Sequence, residues 1–260
     1  MRIVRYLQGD DPPRFGWVFE DRIGLILGDI FYEYQREEAK IPLSKVRLLA
    51  PTVPGKIICV GRNYAAHAEE HHAEVPEYPL IFMKPPSSVI GPEETIVLPP
   101  QSKQVEHEGE LAAVIGKRGR WLQPEEAMDI VFGYMVANDV TARDLQRQDD
   151  QWTRAKGFDT FCPLGPWIDT DLDPMDSMLS CHVNDELRQM APIRDMVFSM
   201  SQLIVYISSI MTLEVGDVIL TGTPAGVGRL MDGDRVSVRI EKLGELSNPV
   251  RMVDWRRDEV

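Results

Sequence analysis

Cysteine is scarce and unpatterned in this chain. Cys59, Cys162 and Cys181 are the three present among 260 residues. They are widely spaced, odd in number and form no CxxC, which argues against a disulfide framework or a zinc ribbon. Reduced thiols without chemistry of their own, in a cytoplasmic setting, are the expectation. Long apolar runs are missing too. The strongest, around LIVYISSIM, is too short to span a bilayer. The N-terminus, MRIVRYLQGDDPP, has charges and prolines where a signal peptide needs an apolar stretch. A soluble protein with no membrane partner is expected. Positive charge is in deficit: 28 Lys and Arg stand against 41 Asp and Glu, for a formal net charge of −13. That argues against a nucleic-acid partner, which usually needs a basic stripe. A small anionic substrate stays open, because a local metal or basic cluster can outweigh the global sign. There is no internal repeat and no low-complexity tract.

What is present supports a sizeable core. Hydrophobic residues make up 43% of the chain, enough for one large domain with a small appendage. Residues 1–50 read as a small β-rich region: RIVRYL, FGWVFE, IGLIL and IFYEY are short apolar or alternating runs split by DDPP and glycine. LLAPTVPGK (48–56) reads as a connector into a catalytic-sized region, 51–260. Strands are expected at KIICVG, PLIFMK, ETIVL, VEHEGELAAVIGK, FGYMVANDV, DVILTG and DRVSVRI. RNYAAHAEEHHAE (62–74) has helical spacing without an apolar stripe and predicts a short, largely exposed helix. LQPEEAMDIV predicts a short helix with proline in its first turn. TARDLQRQDDQW predicts a polar helix with Thr141 as N-cap. SMSQLIVYISSIMTL (199–213) predicts an amphipathic helix with Leu203, Ile204, Ile207, Ile210 and Met211 on one face. Helices do not alternate regularly with strands, so the fold class is α+β and β-rich, not a doubly wound sheet or a TIM barrel.

Four stretches carry candidate chemistry. In VEHEGELAAVIGK, Glu108 and Glu110 are two apart on a strand and project in parallel. Their oxygens can converge on a hard cation such as Mg²⁺ or Mn²⁺. Asp139, ending the apolar strand GYMVAND, can supply a third carboxylate. Singly, an E-x-E is ordinary on a half-exposed strand. Glu106 shares that face on paper but lies further from the apolar run and is expected to be solvated. His67 and Glu70 are helix neighbours; a carboxylate beside an imidazole raises its basicity and orients it as a water-activating base. A surface histidine among glutamates, with His71 and His72 close by, is the plainer alternative. Lys156, before a Gly-Phe-Asp turn, can place positive charge at a developing oxyanion, or be an ordinary surface lysine. TGTPAGVG (221–228) lacks the Walker lysine and is no nucleotide loop. Its backbone N–H groups can face a carboxylate, or it is simply a tight turn.

Together GRNYAAHAEE, IFMKPPSS, VEHEGELAAVIGK, GYMVANDVTARDLQ, KGFDTFCPLGPW and LEVGDVILTGTPAGVG resemble, in order and spacing, the fumarylacetoacetate hydrolase family. The resemblance covers most of the chain; residues 1–50 add little. It implies a β-rich α+β architecture of packed sheets, of the type of that family's C-terminal domain, and a homodimer. It implies an Mg²⁺ or Mn²⁺ site made of Glu108, Glu110 and Asp139, with Lys156 facing the substrate and Thr223 binding a substrate carboxylate. Arg143 and Gln146 match positions that reach towards the substrate. His67 and Glu70 match a catalytic pair on a mobile lid helix. Gly109 is a mild departure, expected to loosen its strand locally.

The implied activity is metal-dependent chemistry on a 2-oxo acid through a stabilised enolate. Hydrolysis of acylpyruvates or decarboxylation of oxaloacetate is the first expectation, and the His67–Glu70 pair modestly favours hydrolysis. A 2-hydroxyhepta-2,4-diene-1,7-dioate isomerase or 5-oxopent-3-ene-1,2,5-tricarboxylate decarboxylase of aromatic catabolism is the alternative. A non-catalytic, metal-stabilised ligand-binding protein is the alternative of another class.

Overall fold

A computed structural model describes residues 1–70 and 72–252. Among these residues the strands form three sheets, and the expected β-rich α+β architecture holds. The largest sheet has 13 strands. Its centre runs Cys162–Asp169, Val131–Asn138, Gly109–Ile115, Val218–Leu220, Ile57–Gly61 and Leu80–Lys84, each strand paired with the next. Gly109–Ile115 is buried along its whole length. It pairs antiparallel with Val131–Asn138 on one side and Val218–Leu220 on the other. A strand covered on both faces needs apolar residues at every position, which is why LAAVI runs unbroken.

One face of this strand, Leu111, Ala113 and Ile115, packs with Leu179, Val236, Val238 and Ile240 of a five-stranded sheet. The Met200–Ile210 helix joins the same core. The other face, Ala112 and Val114, packs with Ile57, Cys59, Met135, Leu164 and Leu220. The N-terminal strands are not a separate layer. Arg2–Leu7 pairs with Cys162–Asp169 and extends the large sheet outward.

Several local expectations change in the fold. Thr141 does not cap the Arg143–Gln148 helix, whose N-cap is Ala142 without a side-chain cap, whereas Ser199 caps Met200–Ile210 through a reciprocal capping box with Gln202. Thr141 is fully buried in a two-residue strand and donates its hydroxyl to the Asp139 carbonyl at 2.8 Å. Leu203, Ile204 and Ile207 are buried as expected, but Ile210 at the helix end is 47% exposed. IFYEY is a turn leading into a short strand, Tyr34–Arg36, with Asp29 accepting the Phe31 N–H. Cys162–Asp169 is a central strand although it contains Pro163 and Pro166; such prolines argue against a strand when only the sequence is read. No helix among the described residues is long and apolar enough to cross a membrane.

Candidate active site

The three expected ligand acids meet where two sheets part. The continuous strand expected over 105–117 is interrupted at Glu108. Val105–His107 belongs to a three-stranded sheet, and Gly109–Ile115 to the large one. Glu108 bridges them and is clamped through its backbone. Its N–H donates to Asn138 Oδ1 at 2.9 Å, and its carbonyl accepts the Asp139 N–H at 2.8 Å. This clamp sets Glu108 beside Asp139. Glu110 follows on the large sheet, opposite Ala137. One oxygen from each of Glu108, Glu110 and Asp139 lies within 4.8 Å of the others, and all three residues are buried.

The cations that meet these acids come from distant parts of the chain. Lys156 Nζ, 2% exposed, donates to Glu108 Oε2 and Asp139 Oδ2, each at 2.7 Å. It also stands 4.9 Å from the Phe82 ring centroid. Lys84, which terminates Leu80–Lys84, donates to Asp139 Oδ1 at 2.5 Å and to the Val140 carbonyl at 3.1 Å. Arg143 is spread over three partners. Nε donates to Glu106 at 2.7 Å, Nη1 to Gln146 Oε1 at 2.5 Å and Nη2 to Glu108. Glu106 is therefore buried and paired, not solvated. Its distance from the apolar run predicts solvation; the break at Glu108 and the approach of Arg143 bury it instead.

Electrostatics divide the acids. Burial alone would raise the Glu108 carboxyl, but Lys156, Arg143 and His67 outweigh it and hold it below the usual carboxylate range. Glu110 is pushed well above that range, first by burial and then by Asp139 and Glu108. Its Oε2 accepts the Gly222 N–H at 2.7 Å, and among the described residues it has no ion-pair partner. Four buried carboxylates thus face three buried cations. With all four ionised, one negative charge would stand uncompensated on Glu110; burial beside Asp139 and Glu108 therefore favours its protonated form in the absence of a cation. An all-oxygen donor set with such a surplus suits a hard divalent ion.

Around this cluster lies a cavity of about 250 Å³. Eight of the nine expected site residues line it; the ninth, Glu70, meets it through His67. His67 is buried, contrary to the expectation of a largely exposed helix, and so is Ala68 on the short Ala65–Glu70 helix. His67 Nδ1 lies 3.4 Å from Glu70 Oε2. Glu70 also accepts the Gly226 N–H, at 3.1 and 3.2 Å to its two oxygens. The short helix is thereby tied to the Gly-rich turn. His71 lies outside the described residues. Apolar walls come from Val60, Phe82 and Trp152.

The Gly-rich turn is held from below by a residue that the sequence does not advertise. Gln189, fully buried, accepts the Gly109 N–H at 2.9 Å and donates to Thr223 Oγ1 at 2.7 Å and the Pro224 carbonyl at 2.8 Å. Gly109 is consequently braced, not loosened, and its carbonyl accepts the Thr223 hydroxyl at 2.9 Å. Lys84, Glu106 and Gln189 went unassigned as site residues. The one local signal was a lysine ending the apolar run LIFMK, where a charge entering a core needs a partner.

This packed-sheet fold, with three carboxylates in a lysine-bearing cleft, defines the class. The chain belongs to the fumarylacetoacetate hydrolase family: the model described as Fumarylacetoacetate (FAA) hydrolase C-terminal matches residues 56–251. Residues 1–51 match a second model, Rv2993c-like, N-terminal. Among individual relatives, the chain is 48% identical over 222 residues to the oxaloacetate tautomerase Fahd2a, mitochondrial, of Rattus norvegicus, covering 81% of this chain and 71% of that protein. A 2-hydroxyhepta-2,4-diene-1,7-dioate isomerase from Mycobacterium marinum superposes with a TM-score of 0.90 at 42% identity, covering 98% and 99% of the two chains. A maleylpyruvate hydrolase from Sphingobium sp. SYK-6, solved with manganese(II) and pyruvate, gives 0.81 at 35% identity, covering 97% and 99%.

Proposed function

We propose that this protein is a divalent-metal-dependent enzyme acting on small 2-oxo acids through their enolates. Its reaction is C–C hydrolysis of acylpyruvates, decarboxylation of oxaloacetate, or both. The observation that carries this reading is the convergence of Glu108, Glu110 and Asp139 in the cavity that also holds Lys156 and His67. The names of the relatives point the same way, since each acts on a 2-oxo acid or its enol form.

Mg²⁺ or Mn²⁺ held by the three acids supplies the Lewis acidity that stabilises an enolate. The protein's own groups do the rest. Lys156 presents a fixed positive charge to the oxyanion that develops at C2. Burial would lower its proton affinity, but Asp139 and Glu108 raise it overall, so it stays charged. Thr223 has its hydroxyl engaged with Gly109 and Gln189. Its backbone N–H is therefore the donor for the substrate carboxylate. Glu70 beside Nδ1 orients His67, leaving Nε2 to take a proton from water in hydrolysis. Isomerisation is the second reading, favoured by the tautomerase and isomerase relatives. In it the same base moves a proton between carbon and oxygen, and no water attacks.

The test is a coupled assay on oxaloacetate and acetylpyruvate with direct product identification, in chelated and Mg²⁺- or Mn²⁺-loaded protein. Glu110→Ala and Asp139→Ala should each lower metal-dependent turnover at least about 100-fold. Equal rates in chelated and loaded samples would remove the metal from the reading. His67→Ala should impair acylpyruvate hydrolysis far more than oxaloacetate decarboxylation; equal losses would end the water-activating role.

A further inference from the structure

We propose that Arg62 determines specificity by binding a second, distal carboxylate, so that the preferred ligands are 2-oxo dicarboxylates. This rests on the 2-oxo acid reading of the same cavity and narrows its substrate class. The cations at the cavity separate into two groups. Arg143 and Lys156 line it with their charges consumed by Glu106, Glu108 and Asp139. Arg62 and Arg147 also line it. Arg147 is exposed and donates to Gln104 Oε1 at 2.5 Å. Arg62 is half-buried and has no hydrogen bond or ion pair to any described residue. It stands beyond 4.0 Å of every described carboxylate, the acids of the cluster included. A guanidinium in the wall of the same cleft, outside ion-pair distance of the acids and without a counter-charge, matches a second planar anionic group on a bound ligand.

The backbone around Arg62 is built to hold it there. Its φ of +57° lies in the left-handed region, which a non-glycine residue enters at a cost. Such a conformation persists only where neighbours over-determine it. Asn63 does so: fully buried, it donates to the Thr221 carbonyl at 2.8 Å and the Phe198 carbonyl at 3.1 Å and accepts the Phe198 N–H at 2.7 Å. The cavity, about 250 Å³, is large enough for a short diacid.

Two measurements on the Mn²⁺-loaded protein test the proposal. The first is the ratio of kcat/KM for oxaloacetate to that for acetylpyruvate. Arg62→Gln should lower this ratio about 10- to 100-fold, mainly through KM for oxaloacetate, and Arg62→Lys should restore part of it. The second is calorimetric binding of 2-oxoglutarate against 2-oxovalerate, which have equal chain length and differ in the distal carboxylate. Wild type should bind 2-oxoglutarate at least tenfold tighter, and Arg62→Gln should erase the difference. Arg62→Gly, which relieves the backbone and removes the charge together, should also erase it without lowering Tm. Equal binding of both acids by wild type, or a preference that survives Arg62→Gln, overturns the proposal. Charge-dependent binding without turnover of any 2-oxo acid would sustain Arg62's role while refuting the catalytic reading.

Discussion

Glu106 marks the difference between an acid on a strand and an acid in a network. A solvated glutamate can be deleted at almost no cost. Glu106 instead accepts a hydrogen bond from Arg143 Nε, in a pair where both side chains are buried. Glu106→Ala should therefore destabilise the fold by about 1–3 kcal/mol, because it leaves the buried Arg143 Nε donor without a partner. Glu106→Gln, which keeps an acceptor oxygen, should cost less. Urea unfolding of the two variants measures both. The cysteines make the opposite case, since their expected inertness follows from burial alone. All three are free and buried. Burial pushes the Cys162 thiol up to about 12, and Cys59 and Cys181 are raised for the same reason. A thiol-specific reagent at pH 8 should label none in the native protein and three after denaturation. Tyr134 is likewise pushed up to about 12, first by burial. These acids stay protonated in the fold, while the unfolded chain releases their protons from the ordinary values of 9.0 and 10.0. The stability they provide is complete below pH 9 and declines as pH rises towards 12. The urea midpoint should fall across that window.

At the scale of elements, the connection after Ile57–Gly61 is the decisive joint. Asn63 ties it to the segment before the Met200–Ile210 helix and to Thr221 at the start of the Gly-rich turn. Gly222 completes the joint. Its φ is +96°, and a Cβ there would stand 2.8 Å from Asn63 Cβ and 3.0 Å from the Val60 carbonyl oxygen. Gly222 N–H also holds Glu110. Gly222→Ala should thus cost about 2 kcal/mol or more, and it should weaken metal binding through the displaced Glu110. Calorimetric titration with Mn²⁺ separates the two effects. Asn63→Ala should cost about 2–4 kcal/mol, since it leaves buried carbonyl groups without donors. Elements whose cause is local were legible beforehand: the apolar face of the Met200–Ile210 helix and the unbroken apolar run of Gly109–Ile115 are examples. Cys162–Asp169 was not, because its two prolines argue locally against the strand that its neighbours impose.

At the scale of the molecule, the N-terminal region and the remainder share one sheet. Residues 1–50 cover an edge that the rest of the chain would otherwise expose. Arg2 and Ile3 pair with Asp169 and Ile168, and Leu49 and Ala50 are buried. Deleting residues 1–50 should leave an apolar strand edge open and produce aggregation with a lowered Tm. Size-exclusion chromatography and a thermal melt of the truncated chain check this. A truncation that stays monodisperse with an unchanged Tm would show that the edge needs no cover.

By itself, the sequence determined the kinds of groups and their order along the chain: candidate oxygen ligands at Glu108, Glu110 and Asp139, a base candidate at His67, a lysine at Lys156, and β-rich segments to carry them. Residue type and short-range spacing made these residues candidates; the resemblance of the ordered motifs to a known family singled them out from plainer alternatives. Which charge neutralises which was decided only by the tertiary structure. Lys84 reaches Asp139 from 55 positions away, Arg143 reaches Glu106 from 37, and Gln189 reaches Thr223 from 34. Such pairings leave no local trace, because they form only once separate strands have been brought into register and water has been excluded between them.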